Sequence, residues 1–373
     1  MTRAASHVYV HVPFCARRCS YCDFAIAVRR EVPVRGYLDA VAAELALRVS
    51  DGPHEVDTIY LGGGTPSRLG PGGVADLLAL LQRHFRAAPN AEITLEANPE
   101  DVDAAAVAAW SQAGITRISL GVQSFEPRAL AWMHRVHDVA TARRAAATVA
   151  GAGFASWSVD LIFALPDELE RDWSRDLDEA IALAPAHISA YGLTVEPHTP
   201  LARWVARGTA VDAPEERYAA QFLEAHERLT GAGLEHYEVS NYARPGHASR
   251  HNSAYWRQIP YLGLGPSAHS LDGCERRWNT REYQAWSAQV LAGVDPVAGS
   301  EVLTSEQRSL ERTYLGLRAA SGLGVDQVQP EIVDRWREQG WADGDEVTVR
   351  LTAQGWLRLD ALVTALTAQS NPC

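Results

Sequence analysis

From residue 8 to residue 193 short β-rich runs alternate with helical segments, and no other feature of the chain narrows its fold so far. The runs are VYVHV (8–12), DTIYLG (57–62), EITLEA (92–97), TRISLGV (116–122), SVDLIFAL (158–165) and HISAYGL (187–193). Between them lie Ala/Leu-rich stretches of helical period, among them YLDAVAAELALRV and VADLLALLQRHF. Strand and helix in regular alternation make a parallel α/β sheet. Such units close toward a barrel or spread into a doubly wound sheet. Cys15, the GGGTP of 62–66, Glu96, Gln123 and Asp160 all fall at or just beyond strand ends. Barrel enzymes build their sites there, so the expected fold is a partial (β/α)6 barrel of TIM type.

A chain of 373 residues exceeds what one hydrophobic core usually serves, which predicts a large domain and a smaller one. We expect a core domain over 1–240, a bridging segment over 241–300 and a C-terminal domain over 301–373. The bridge, rich in Gly, Pro and aromatic residues, shows weak periodicity and is expected to carry function. The last part reads as helices followed by a strand, a turn and a helix, resembling a winged-helix module. It carries 11 Asp/Glu against 7 Lys/Arg, which favours protein packing over DNA. The net charge of −12 excludes nucleic acid as a first expectation. No apolar run approaches bilayer length and the first residues lack a signal-peptide layout, so a cytoplasmic protein without membrane anchor is expected.

Cys15, Cys19 and Cys22 lie within eight positions, just after a strand, while Cys274 and Cys373 stand far off with no partner spacing and no assigned role. Three thiolates so spaced reach one inorganic centre only through a loop. Thiolate selects iron–sulfur clusters or zinc. Structural zinc wants four ligands, and only His11, on the preceding strand, offers a fourth. Three ligands suit a 4Fe–4S cluster with one open iron. Phe14, Tyr21 and Phe24 read as hydrophobic anchors of this loop, and as residues that would limit solvent access to the cluster.

CARRCSYCDF resembles the CxxxCxxC signature of the radical S-adenosylmethionine (SAM) superfamily. The resemblance implies that SAM occupies the fourth iron and that one electron splits it to a 5′-deoxyadenosyl radical. LGGGTPSRLG, LEANPE, SLGVQSF, Arg135 and SVDLIF follow in the order of the coproporphyrinogen oxidase-like branch, over nearly the whole chain. On that resemblance Tyr9, Gly63, Gly64, Thr65, Glu96, Gln123, Arg135 and Asp160 contact SAM. Glu96 and Asp160 suit ribose hydroxyls or an ammonium, and Arg135 the methionyl carboxylate.

Two departures separate the chain from the oxidases of that branch. Phe24 stands where they carry a further cysteine, and only 14 residues precede Cys15, too few for their N-terminal arm. The sequence is closer to heme-carrying members, and RHNSAYWR (250–257) matches their HNxxYW motif. This implies heme as a third cofactor, with His251 as iron ligand and the Tyr255 and Trp256 rings flanking the macrocycle. His269, in GPSAHS, is the alternative ligand, and His134 and His137 read as surface residues at a helix end. The implied partners are heme and apo-hemoproteins, reached in part by transient contact with membrane hemoproteins; a homodimer is left open. The alternative reading is an oxygen-independent coproporphyrinogen III oxidase, and whether the chain uses radical chemistry is left open.

Overall fold

The computed structural model describes residues 5–50 and 52–368 and is built on one 12-stranded sheet. Its centre is the expected parallel set: β1 (His7–Val12), β2 (His54–Gly63), β3 (Phe85–Ala97), β4 (Arg117–Gln123), β5 (Ser156–Phe163) and β6 (His187–Gly192). Beyond β6 the chain adds β7 (Glu235–Glu238) and β8 (Asn241–Ala243), both antiparallel. On the other side β9 (Tyr261–Leu264) runs parallel to β1, and β10 (His269–Asp272), β11 (Glu275–Asn279) and β12 (Val297–Val302) follow antiparallel. The order β12-β11-β10-β9-β1-β2-β3-β4-β5-β6-β8-β7 leaves two unjoined edges, so the barrel is partial and open.

Strand alternation assigns the two faces of β1. Val8, Val10 and Val12 enter the main hydrophobic core with Tyr37, Val41 and Leu45 of the helix Val34–Arg48. His7, Tyr9 and His11 take the opposite face, where Tyr9 packs on Tyr60 of β2. The helix Gly70–Leu81 ends four residues before the expected limit, because Phe85–Ala87 extends β3 to pair with His54–Val56.

Residues 241–300 do not form a separate bridge. Strands β8 to β11 are three to five residues long, too short to print a period, yet they join the same sheet as β1. Glu44 ties this extension to the core. Its buried carboxylate accepts from Gly265 N (2.8 Å), Asn279 Nδ2 (2.7 Å), Trp286 Nε1 (3.1 Å) and Arg48 (2.8 Å).

The C-terminal part has the helical, winged-helix-like make-up expected of it. Helices Ser305–Arg318 and Pro330–Glu338 flank a small antiparallel sheet of Leu323–Gly324, Thr348–Leu351 and Ala342–Gly344, and helix Leu359–Ala368 closes the module. It shares the main core: Trp356 donates to Leu317 O at 2.9 Å and lies edge-on to His236, ring centres 4.4 Å apart. Arg318 pairs with the buried Glu238 of β7 at 3.2 Å. Cys373 lies outside the described residues.

Candidate functional site

The cysteine loop leaves the C-terminal end of β1 and is pinned at both flanks. Ala27 N donates to Pro13 O (2.7 Å) and Arg29 N to Cys15 O (3.0 Å), closing the loop's base. Ser20 N donates to Met133 O (3.2 Å) while Ser20 O accepts from Leu201 N (2.8 Å). Tyr21 packs on the second hydrophobic cluster around Leu130, Met133 and Leu201. Phe14 is buried edge-on to Tyr37 and Tyr283. Phe24 is not buried like Phe14: it is 61% exposed and lines the cavity.

Cys15, Cys19 and Cys22 line a cavity of about 490 Å³ together with Gly63, Gly64, Thr65, Glu96, Gln123, Arg135 and Asp160. The barrel geometry explains the convergence, since every one of these strand ends opens on the same side of the sheet. Gly63 sits at φ +110°, and a Cβ there would meet the His11 ring at 2.5 Å. Its N–H donates to Glu96 Oε2 at 3.0 Å, and the Tyr60 hydroxyl donates to Oε1 at 2.8 Å. Burial still dominates and lifts the Glu96 carboxyl to about 7. Burial also raises Asp160, against hydrogen bonds from Ser119 (2.8 Å) and Ser158 (3.1 Å).

Arg135 Nη2 donates to Asn98 Oδ1 (2.6 Å) and Gly121 O (2.9 Å), and Nη1 reaches Cys19 Sγ at 3.5 Å. Its Nε is buried with no partner among the described residues, leaving a donor to spare. Burial opposes its charge, but Tyr21, Cys19 and Glu100 outweigh burial and hold the guanidinium above its ordinary range. Thr65 Oγ1 lies 3.5 Å from Cys15 Sγ.

The donor set fits an iron–sulfur cluster. Burial pushes the Cys15 thiol up to about 11 and Cys22 to about 12, so only a cation that displaces the protons would make thiolates here. Among the described residues no three His, Cys, Asp or Glu side chains are grouped tightly enough to share one ion. A cube that takes one thiolate per iron spreads its ligands more widely than one ion does. The spare Arg135 donor and the buried acids Glu96 and Asp160 match the carboxylate, ammonium and hydroxyls of SAM.

A second cavity, of about 570 Å³, shares Asp23, Phe24, Gly63 and Glu96 with the first. Tyr9 lines this one rather than the first, and Tyr255 and Trp256 form its wall. His251 does not stand on that wall. It is buried, Thr58 Oγ1 lies 2.6 Å from its Nδ1, and the Tyr255 hydroxyl lies 2.8 Å from its Nε2. Both of its ring nitrogens thus have hydrogen-bond partners inside the protein.

His137 is also not a surface residue; it is buried between Glu100 Oε2 (3.2 Å) and Val122 O (3.1 Å). His134 lies against Trp204, ring centres 5.3 Å apart, and lines the first cavity. Sequence reasoning missed Asn98 and Tyr60, which hold Arg135 and Glu96. Asn98 stands two residues after Glu96, but Asn-Pro reads as turn punctuation.

These strands, the loop and the cavity define a class, and comparison with known proteins agrees with it. The Radical SAM superfamily profile matches residues 9–180. The solved structure titled coproporphyrinogen III oxidase (HemN) from Escherichia coli superposes with a TM-score of 0.81 over 97% of this chain and 90% of that one, at 22% identity, a likeness of fold. A Synechocystis protein named heme chaperone HemW is 40% identical over 84% of this chain and 78% of its own length. A HemW from Mycobacterium tuberculosis H37Rv is 42% identical over 85% of this chain and 82% of its own. The chain belongs to the HemW heme-chaperone family of the radical SAM superfamily.

Proposed function

We propose that this protein carries heme: it holds a 4Fe–4S cluster through Cys15, Cys19 and Cys22, binds SAM beside it, and passes heme to apo-hemoproteins. Glu96, Gln123, Arg135, Asp160 and the Gly63–Thr65 turn would hold SAM in the first cavity, with Tyr9 supporting them from the second. The cluster, when bound, supplies one-electron chemistry. The chain's own residues orient and enclose: Arg135 meets a carboxylate, Glu96 and Asp160 accept donors, and the buried walls exclude water. Heme would lie in the second cavity between aromatic side chains, Tyr255 and Trp256 among them. We place this work in the cytoplasm, with membrane hemoproteins among the recipients by transient contact; among the described residues no helix is long and apolar enough to cross a membrane.

One observation carries the reading: the cavity walled by the HNxxYW aromatics shares Asp23, Phe24, Gly63 and Glu96 with the cavity lined by the cysteines. The test is one anaerobically reconstituted preparation, given ferric heme in one arm and coproporphyrinogen III in the other. We expect a Soret band at one heme per chain and no protoporphyrinogen. Protoporphyrinogen without heme binding would establish the oxidase reading instead. Phe24, in place of the oxidase branch's further cysteine, speaks against that reading.

A further inference from the structure

We infer that His269, on the cavity-facing side of β10, is the side chain that takes the iron of the bound heme, while His251 shapes the cavity wall from behind. This rests on the heme-carrying reading above and refines its site. An iron ligand must present a free nitrogen lone pair at the wall of the cavity that holds the macrocycle. Two histidines line the second cavity, His11 and His269. His11 is spent: its Nε2 lies 2.7 Å from Ala25 O and its Nδ1 3.1 Å from the Tyr9 hydroxyl. His251 is spent as well, and its ring sits behind Tyr255.

His269 differs from both. Its side chain is exposed, and among the described residues neither ring nitrogen has a hydrogen-bond partner. Partial desolvation at the cavity wall and the charge of Arg276, against that of Glu301, keep the imidazole below its ordinary pKa, so it is neutral, with its lone pair available, at neutral pH. Strand alternation fixes where it stands. His269 and Leu271 line the cavity, while Ser270 between them accepts from Arg48 (2.9 Å) and Gly263 N (2.9 Å) on the other side. Trp278, its cross-strand partner on β11, lies nearly parallel to the ring at 5.9 Å and holds its plane.

The rest of the cavity suits a flat apolar ligand bearing carboxylates. Tyr255, Trp256 and Leu315 give apolar walls, and two guanidinium groups stand at the rim. Arg276 is already paired with Glu301 (2.9 Å) and Glu311 (2.7 Å). Among the described residues Arg281 donates only to the Asp23 carbonyl, and it keeps its charge for an incoming propionate.

Ferric heme titrated into the full reconstituted chain, followed by absorption and electron paramagnetic resonance, tests the assignment. In His269→Ala the imidazole-ligand signature should vanish and binding weaken by about tenfold or more, with free imidazole restoring the spectrum. In His269→Cys the Soret band should move to that of a thiolate-ligated heme, a change of ligand identity that misfolding cannot mimic. His251→Ala should keep the imidazole signature, at weaker affinity. If both His269 variants keep the wild-type spectrum, the assignment is overturned while the heme-carrying reading stands. If the wild-type chain binds no stoichiometric heme, the reading and the assignment fall together.

Discussion

His251 Nε2 lies 2.8 Å from the Tyr255 hydroxyl, one turn further along the short helix Arg250–Trp256. On the other side Nδ1 meets Thr58 Oγ1, and Thr58 Oγ1 lies 2.9 Å from His7 Nδ1. Four side chains from β1, β2 and this helix thus form one buried hydrogen-bond chain ending at the cavity wall. Leaving a buried donor or acceptor unpaired costs about 1–3 kcal/mol, so His251→Ala should lower stability by that order. The double variant His251→Ala/Tyr255→Phe should cost less than the two single changes added, measured by urea unfolding. Strict additivity would mean the chain does not couple.

How much of this was legible in the sequence depends on the length of the signal. Six strands of six or more residues carried a readable alternation, and the parallel centre followed from them. β8 to β11 are three to five residues long in a stretch dense with Gly, Pro and aromatics, so the same sheet read there as a bridge. Of the site, the cysteines and the strand-end polar residues stood out by type and position. His251 was legible as part of a motif, but a motif does not say which nitrogen is free; that depends on Thr58, 193 positions away in the chain. His137 failed for the same reason, its partners Glu100 and Val122 coming from other turns of the barrel.

Buried neutral histidines give the protein a definite acid response. Burial lowers His11 to about 4, and His236 and His251 to about 3, from an ordinary 6.5. Between those values the unfolded chain holds protons that the folded chain refuses, so stability falls as pH drops below about 6.5. Urea midpoints measured from pH 7.5 to 5 should fall accordingly, and His236→Asn should flatten the slope. A flat profile in the parent chain would contradict these burial assignments.

Glu96 runs the other way, because its folded pKa of about 7 lies above the ordinary 4.5. Its ionisation is favoured in the unfolded chain, so its own contribution to stability declines as pH rises from about 4.5 through 7. On the proposed assignment SAM binds the ionised carboxylate, and affinity should rise roughly tenfold between pH 6 and pH 8 as that form fills. Calorimetric titration of the reconstituted protein with SAM should show this rise, and Glu96→Gln should bind more weakly with no such slope.

The cysteines separate cluster ligation from thiol content. Cys15→Ser, Cys19→Ser or Cys22→Ser should each lower cluster-bound iron and the charge-transfer absorbance after anaerobic reconstitution. Cys274→Ser, on the hairpin between β10 and β11 and outside both cavities, should leave both unchanged. Equal iron in all four variants would remove the trio from cluster binding.

Glu44 lines neither cavity yet should matter most for integrity. Its carboxylate holds Arg48 on its own helix and accepts from Gly265, Asn279 and Trp286 of the extension that carries His269. Removing one partner of a buried ion pair costs about 3–5 kcal/mol, because the other charge is left uncompensated. Arg48 is such a charge, itself lowered by burial and restored chiefly by Glu44. Glu44→Ala should therefore destabilise the chain by that order in urea unfolding, while Glu44→Gln, which keeps acceptors for Gly265 and Trp286, should cost less. Since the extension rests on this carboxylate, Glu44→Ala should also loosen heme binding without changing cluster content. Wild-type stability in Glu44→Ala would show that packing alone holds β9 to β11 against the core.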